Sequence, residues 1–136
     1  TPHYEHASGA TVGPATLLGW DTAPATAQAG ETLDVRLVWR AQGPADRDYA
    51  VFVHLVDSAG AIAAQHDGRP GGSSYPAQGW VAEEIVEDHH PLALPAERGR
   101  YELRAGLYDP ETWERASAAG AGAAGDYVVL GEMVVE

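Results

Sequence analysis

Glu31-Thr32-Leu33-Asp34-Val35-Arg36-Leu37-Val38-Trp39-Arg40 is the stretch that decides the fold class. Successive residues of an extended chain point to opposite faces, so Leu33, Val35, Leu37 and Trp39 fall on one side and Asp34, Arg36 and Arg40 on the other. A helix would scatter the same apolar groups around its circumference. The period of two therefore specifies a half-buried β-strand.

C-terminal to that strand, Tyr49 to Asp57 is apolar on both faces, since Val51, Val53 and Leu55 alternate with Phe52 and Val56. This marks a central strand covered on each side or lying at a contact surface. Ser58, Ala59 and Gly60 supply a turn, and Ala61 to His66 completes a hairpin. Asp67 to Gly79 is so rich in Gly, Pro and Ser that it reads as a long loop. Glu83 to Leu94 is a further strand whose Pro91 places it at an edge or a bulge, because proline cannot donate to a central ladder. Arg100 to Tyr108 alternates Tyr101, Leu103, Ala105 and Leu107 against Glu102 and Arg104. A turn over Asp109-Pro110-Glu111 follows.

On the N-terminal side, Ala15 to Asp21 is the first ordered run, and residues 1–14, with Pro, Gly, Ser and two His but no periodicity, read as a flexible leader. Near the other end, Ala116 to Gly125 holds only small residues and recurrent Gly and reads as a mobile loop. Tyr127 to Val135 is the closing strand. The expectation is one domain over residues 15–136: an all-β, immunoglobulin-like antiparallel β-sandwich of seven to eight strands. Trp39 and Tyr101 stand where such sandwiches carry a core tryptophan and a corner tyrosine.

Composition narrows the function classes. Twenty carboxylates against eight cations give a formal net charge of -12, a surface that repels phosphate backbones and anionic lipid, so nucleic acid is not an expected partner. All eight cations are Arg, which together with abundant Ala and Gly reads as genome bias. The absence of Cys excludes disulfides, thiolate metal sites and cysteine nucleophiles. No apolar run is long enough to insert in a membrane, and no signal peptide is visible. The chain begins at Thr1 without Met, which reads as a segment of a longer polypeptide.

Several stretches resemble a recurring bacterial module: Leu17-Leu18-Gly19-Trp20-Asp21; Gly30-Glu31-Thr32-Leu33 leading to Leu37-Val38-Trp39-Arg40-Ala41; Asp48 to Asp57; Gln65 to Pro70; and Gly99-Arg100-Tyr101 through Gly106-Leu107-Tyr108-Asp109-Pro110. The pattern is similar to the extracytoplasmic C-terminal region of multi-pass membrane proteins resembling family 39 glycosyltransferases. The resemblance implies a β-sandwich appended to a membrane enzyme on the extracytoplasmic face, with the chemistry elsewhere in the parent. It covers nearly everything after the leader. Ala29-Gly30 stands where a Pro-Gly turn is usual, and the late Ala/Gly loop is unusually long.

Candidate sites are few. His89 and His90 are adjacent and should point to opposite faces of a strand, so Asp88 with His90 is the better pair for a divalent metal. His66-Asp67 opens the long loop. Cross-strand pairing would bring His54 near His66, although the plain alternatives are a neighbour-bonded His54 and an Asp67 that ties main-chain N–H groups of its turn. Ser8, Ser58, Ser73, Ser74 and Ser117 lie in turns or the leader without a nucleophile elbow. The acidic pairs Glu83-Glu84 and Glu87-Asp88 read as solvated surface rather than as glycosidase carboxylates. A carbohydrate site of Tyr75, Gln78 and Trp80, with His66 and Asp67 beside it, would stack a ring on a sugar's apolar face. Against that, Trp80 can fold back as an anchor for the loop, and Trp20, Trp39 and Trp113 read as packing residues. The expected function is a non-catalytic accessory or structural domain without a cofactor, partnered by the rest of its parent polypeptide; a carbohydrate-binding module is the alternative, and a metal-dependent hydrolase a distant third.

Overall fold

The computed structural model describes residues 3–70 and 79–136. Its strands are β1 (His6–Val12), β2 (Ala15–Ala23), β3 (Thr32–Ala41), β4 (Ala50–Val56), β5 (Ile62–Gly68), β6 (Ile85–Ala93), β7 (Gly99–Tyr108), β8 (Ala118–Ala119) and β9 (Val128–Val135). They form two antiparallel sheets, of order β6-β3-β2-β1-β8 and β5-β4-β7-β9, packed as a sandwich. No helix among the described residues is long and apolar enough to cross a membrane.

The deciding strand behaves as its pattern requires. Leu33, Val35, Leu37 and Trp39 of β3 are fully buried between the sheets, facing Val51, Val53 and Leu55 of β4 and Leu103, Ala105 and Leu107 of β7 in one continuous core. The opposite side of β3 carries Arg36, which donates to Asp21 of β2 at 2.8 Å and to Glu87 of β6, tying three strands together across the outer face. Hydrogen bonding to Arg36 holds the Asp21 carboxyl below the ordinary carboxylate range. β6 lies at a sheet edge, where Pro91 costs no ladder hydrogen bond. Tyr101, at the start of β7, donates its hydroxyl to the carbonyl of Glu97 at 2.6 Å and pins the connection into that strand.

Within the stretch read as a leader, residues 6–12 form a strand. His6–Val12 pair with β2, and Ala10 and Val12 are fully buried, because Gly13, at φ 50°, turns the chain back into a tight hairpin. The Ala/Gly segment also contributes, since Ala118 and Ala119 pair with Val12 and Thr11. With these two additions the described residues hold nine strands, against the seven or eight expected. Between β2 and β3 the chain crosses to the other sheet, where Ala27 bridges Val135 in parallel and Ala29 donates to the carbonyl of Glu136.

β3 ends, β4 starts, β5 ends, β6 starts and β7 ends at one pole of the sandwich, as the pairings Val51 with Gly68, Arg40 with Ile85, and Ala50 with Tyr108 require. The connections 42–49 and 109–117 therefore leave from the same end, and the second of them folds back over the outer face of the four-stranded sheet.

Candidate functional site

Both faces of β4 are covered, as its sequence foretold, and what covers the outer face makes a site. Phe52 lies flat across the sheet and is 2% exposed, because its neighbour on β7 is Gly106. A Cβ at Gly106 would sit 2.4 Å from the Phe52 ring. The guanidinium of Arg115 rests on that ring, 4.4 Å from its centroid. Segment 109–114 rises beyond Tyr108 and is closed by the Tyr108–Arg115 bridge. Trp113 donates its main-chain N–H to Asp109 O at 2.7 Å, and Arg47 reaches Asp109 and Glu114.

This loop carries Trp113 at φ 68°, a left-handed conformation that costs a bulky side chain on the order of 1–2 kcal/mol. The strained backbone holds the indole parallel to the Tyr108 ring, at 7° and 5.6 Å between centroids, with Trp113 still 73% exposed. Phe52, His54, Gln65, Asp67, Tyr108, Trp113 and Arg115 together line an open cleft of about 270 Å³.

The polar groups of the cleft are ordered to different degrees. The Tyr108 hydroxyl donates to Asp67 Oδ2 at 2.9 Å, and burial together with that carboxylate pushes the phenol up to about 12. It stays a donor at any ordinary pH. Burial pushes the His54 imidazole below its ordinary value, so at neutral pH it presents one donor and one acceptor nitrogen. Among the described residues neither the His54 ring nitrogens nor the Gln65 amide make a hydrogen bond within the chain. Arg115 is committed, stacked on Phe52 and 3.4 Å from Asp126.

The residues singled out from sequence are distributed differently. Tyr75 and Gln78 lie outside the described residues. Trp80 is 1% exposed and belongs to the core, away from the surface that a sugar platform needs. His54 does not meet His66. Register places His54 opposite Gln65 and His66 opposite Val53, which sends the two rings to opposite faces of the sheet. Asp67 serves Tyr108, while Asp57 holds its own turn by accepting from the N–H groups of Ala59 and Ala61. Trp113, expected to pack inside, is the most exposed of the large apolar residues described.

His66 instead belongs to a buried polar chain that joins the two sheets. Asp88 and His90, 2% and 1% exposed, share the inward face of β6, as their spacing predicts, and meet at 2.7 Å from Oδ2 to Nε2. Trp39 donates to the same carboxylate oxygen at 3.3 Å. With Nε2–H of His90 donating to Asp88, its Nδ1 accepts from Nδ1–H of His66 at 2.9 Å. Burial, with His90 alongside, pushes His66 below its ordinary value. Asp88 and His90 are thus bonded to one another, and the described residues hold no group of three or more His, Asp or Glu placed to bind a metal. His89 points outward to Asp34 at 2.7 Å.

A larger groove of about 550 Å³ lies at the other end of the same sheet face, lined by Asp57, Arg100, Glu102, Arg104 and Glu132. Its cations face their own partners, Arg104 against Glu102 at 2.5 Å and Arg100 against Glu132 at 3.4 Å, and no ring stands exposed in it. The cleft with the Trp113 platform is the better candidate. No family model matches the chain, and no curated protein matches it, so the functional argument rests on this geometry.

Proposed function

We propose that this chain is a non-catalytic carbohydrate-binding module, an immunoglobulin-like sandwich that serves as the accessory domain of a larger bacterial cell-surface or membrane-anchored protein. The observation that carries the reading is Trp113: a strained backbone holds a large, flat, exposed ring at a cleft that is also lined by groups able to bind hydroxyls. An indole laid against the C–H face of a pyranose removes apolar surface from water, while His54, Gln65 and Asp67 offer acceptors and donors at the rim. Strain of this kind is worth keeping where it presents a side chain to a ligand.

The immunoglobulin-like assignment is supported by strand order β2-β3-β6 against β5-β4-β7-β9, by the parallel bridge from Ala27 to Val135 and by the Tyr101 corner bond. Placement on the extracytoplasmic face is supported by the sequence resemblance. A role confined to supporting the parent polypeptide would leave the Trp113 strain without a use.

The test is a panel of soluble oligosaccharides followed by tryptophan fluorescence and by the indole N–H resonance of Trp113. Binding that saturates, and that Trp113→Ala removes without changing the melting temperature by more than a few degrees, is the expected result. Saturable binding that Trp113→Ala leaves intact would overturn the assignment of this cleft, and silence across the panel would return the chain to a structural role.

A further inference from the structure

We infer that the sugar taken by the Trp113 cleft is an uncharged pyranose, not a uronate or a sulfated residue. This rests on the carbohydrate reading above and adds the chemical class of the ligand. Recognition of an anionic sugar needs a guanidinium or ammonium free to meet it. Among the described residues the one cation lining the cleft, Arg115, is engaged twice over: its flat face lies on Phe52 at 4.4 Å and its Nη1 stands 3.4 Å from Asp126. Asp67 adds a second carboxylate at the opposite wall, so two negative groups flank one positive group. The chain as a whole, at net charge -12, adds a repulsive field for anions at physiological salt.

A cationic ligand fits no better. Quaternary ammonium groups are held in cages of aromatic faces, whereas here Tyr108 and Trp113 stack on one another and the face of Phe52 is covered by Arg115. What remains exposed is one ring face and a set of hydroxyl-binding groups. The Asp67 carboxylate keeps acceptor capacity beyond the Tyr108 hydroxyl, the Gln65 amide supplies one acceptor and two donors, and the half-buried His54 ring offers one of each. A carboxylate or sulfate pressed against Asp67 would lose its hydration for a like charge, while a neutral hydroxyl gains a charge-assisted hydrogen bond there.

The intact chain, titrated with neutral oligosaccharides (gluco-, manno- and galacto-configured) and with oligogalacturonate and sulfated galactan fragments at low and physiological salt, separates the possibilities. Neutral oligosaccharides are expected to shift the Trp113 indole resonance with little dependence on salt, and the acidic ones to bind at least about tenfold more weakly. Gln65→Ala, an exposed position on β5, should weaken the neutral ligands by roughly fivefold, the loss expected for one hydrogen bond. Acidic sugars that bind as tightly as neutral ones, or tighter with strong salt dependence, would overturn this inference and leave the carbohydrate reading standing. No response of Trp113 to any sugar would overturn both.

Discussion

Gly106→Ala puts the outer-face architecture to a direct test. The new Cβ would lie 2.4 Å from Phe52 Cζ, 2.5 Å from Cε2 and 3.2 Å from the Asp126 carbonyl, where ordinary carbon contacts are about 3.5–4.0 Å. The Phe52 ring must therefore retreat by roughly 1 Å. It has nowhere to go without displacing Arg115, which sits on its other face, and the nearby Asp126 oxygen is main chain. Overpacking of an enclosed aromatic costs about 1–3 kcal/mol, and at this chain length each 1 kcal/mol lowers the melting temperature by roughly 3–4 °C. We expect Gly106→Ala to melt about 3–12 °C below the wild type and to lose the cleft, read by thermal denaturation and by the Trp113 indole resonance. In a Phe52→Leu background the same substitution should cost less than half as much, because the clash is gone. A melting temperature within 1 °C of wild type, or an equal penalty in both backgrounds, would refute the packing account.

Trp113→Gly removes a left-handed tryptophan worth on the order of 1–2 kcal/mol of strain and a stacking contact worth about 0.5–1.5 kcal/mol. Stability should change by less than about 1 kcal/mol in chemical denaturation; a loss above about 2 kcal/mol would show the ring to be structural. Tyr101→Phe deletes the bond to the Glu97 carbonyl and should lower stability by about 1 kcal/mol, read as a melting temperature lower by roughly 3–4 °C; an unchanged midpoint would argue against the corner bond. Burial lowers both His54 and His66 from their ordinary value of 6.5. Their contribution to stability is therefore whole above pH 6.5 and is lost as pH falls through the folded values, since the unfolded chain takes up protons that the fold resists. Urea midpoints should drop between pH 7.5 and 5.5, and His54→Gln with His66→Gln should flatten that slope; a slope unchanged in the double variant would locate the pH dependence elsewhere.

The sandwich was legible because its central strands have two clean periods. Residues 31–40 show one face to the core, residues 49–57 are apolar on both sides, and Pro91 restricts its strand to an edge; all three signals are local and survive folding. The strand at 6–12 was hidden because Gly9 and Gly13 break its pattern and only Ala10 and Val12 point inward. The site was harder. Asp88 and His90 were placed together correctly because spacing by two on one strand fixes a shared face, but their use of His66 depends on a contact between the two sheets that no local period encodes. Trp113 was misplaced among the packing residues, although a signal existed: it stands between Thr112 and Glu114, just after the Asp109-Pro110 turn, in a stretch with no other apolar residue to pack beside it.

The ends of the five-stranded sheet bear on how the domain behaves in a crowd. An open sheet margin offers unpaired amide and carbonyl groups to any neighbouring polypeptide. One margin here is β6, where Pro91 deletes a donor and Glu87 and His89 carry charge or polarity outward; at the other, β8 pairs through only two residues. On this sheet, Pro91 and the shortness of β8 interrupt the ladder that a second copy would need to extend.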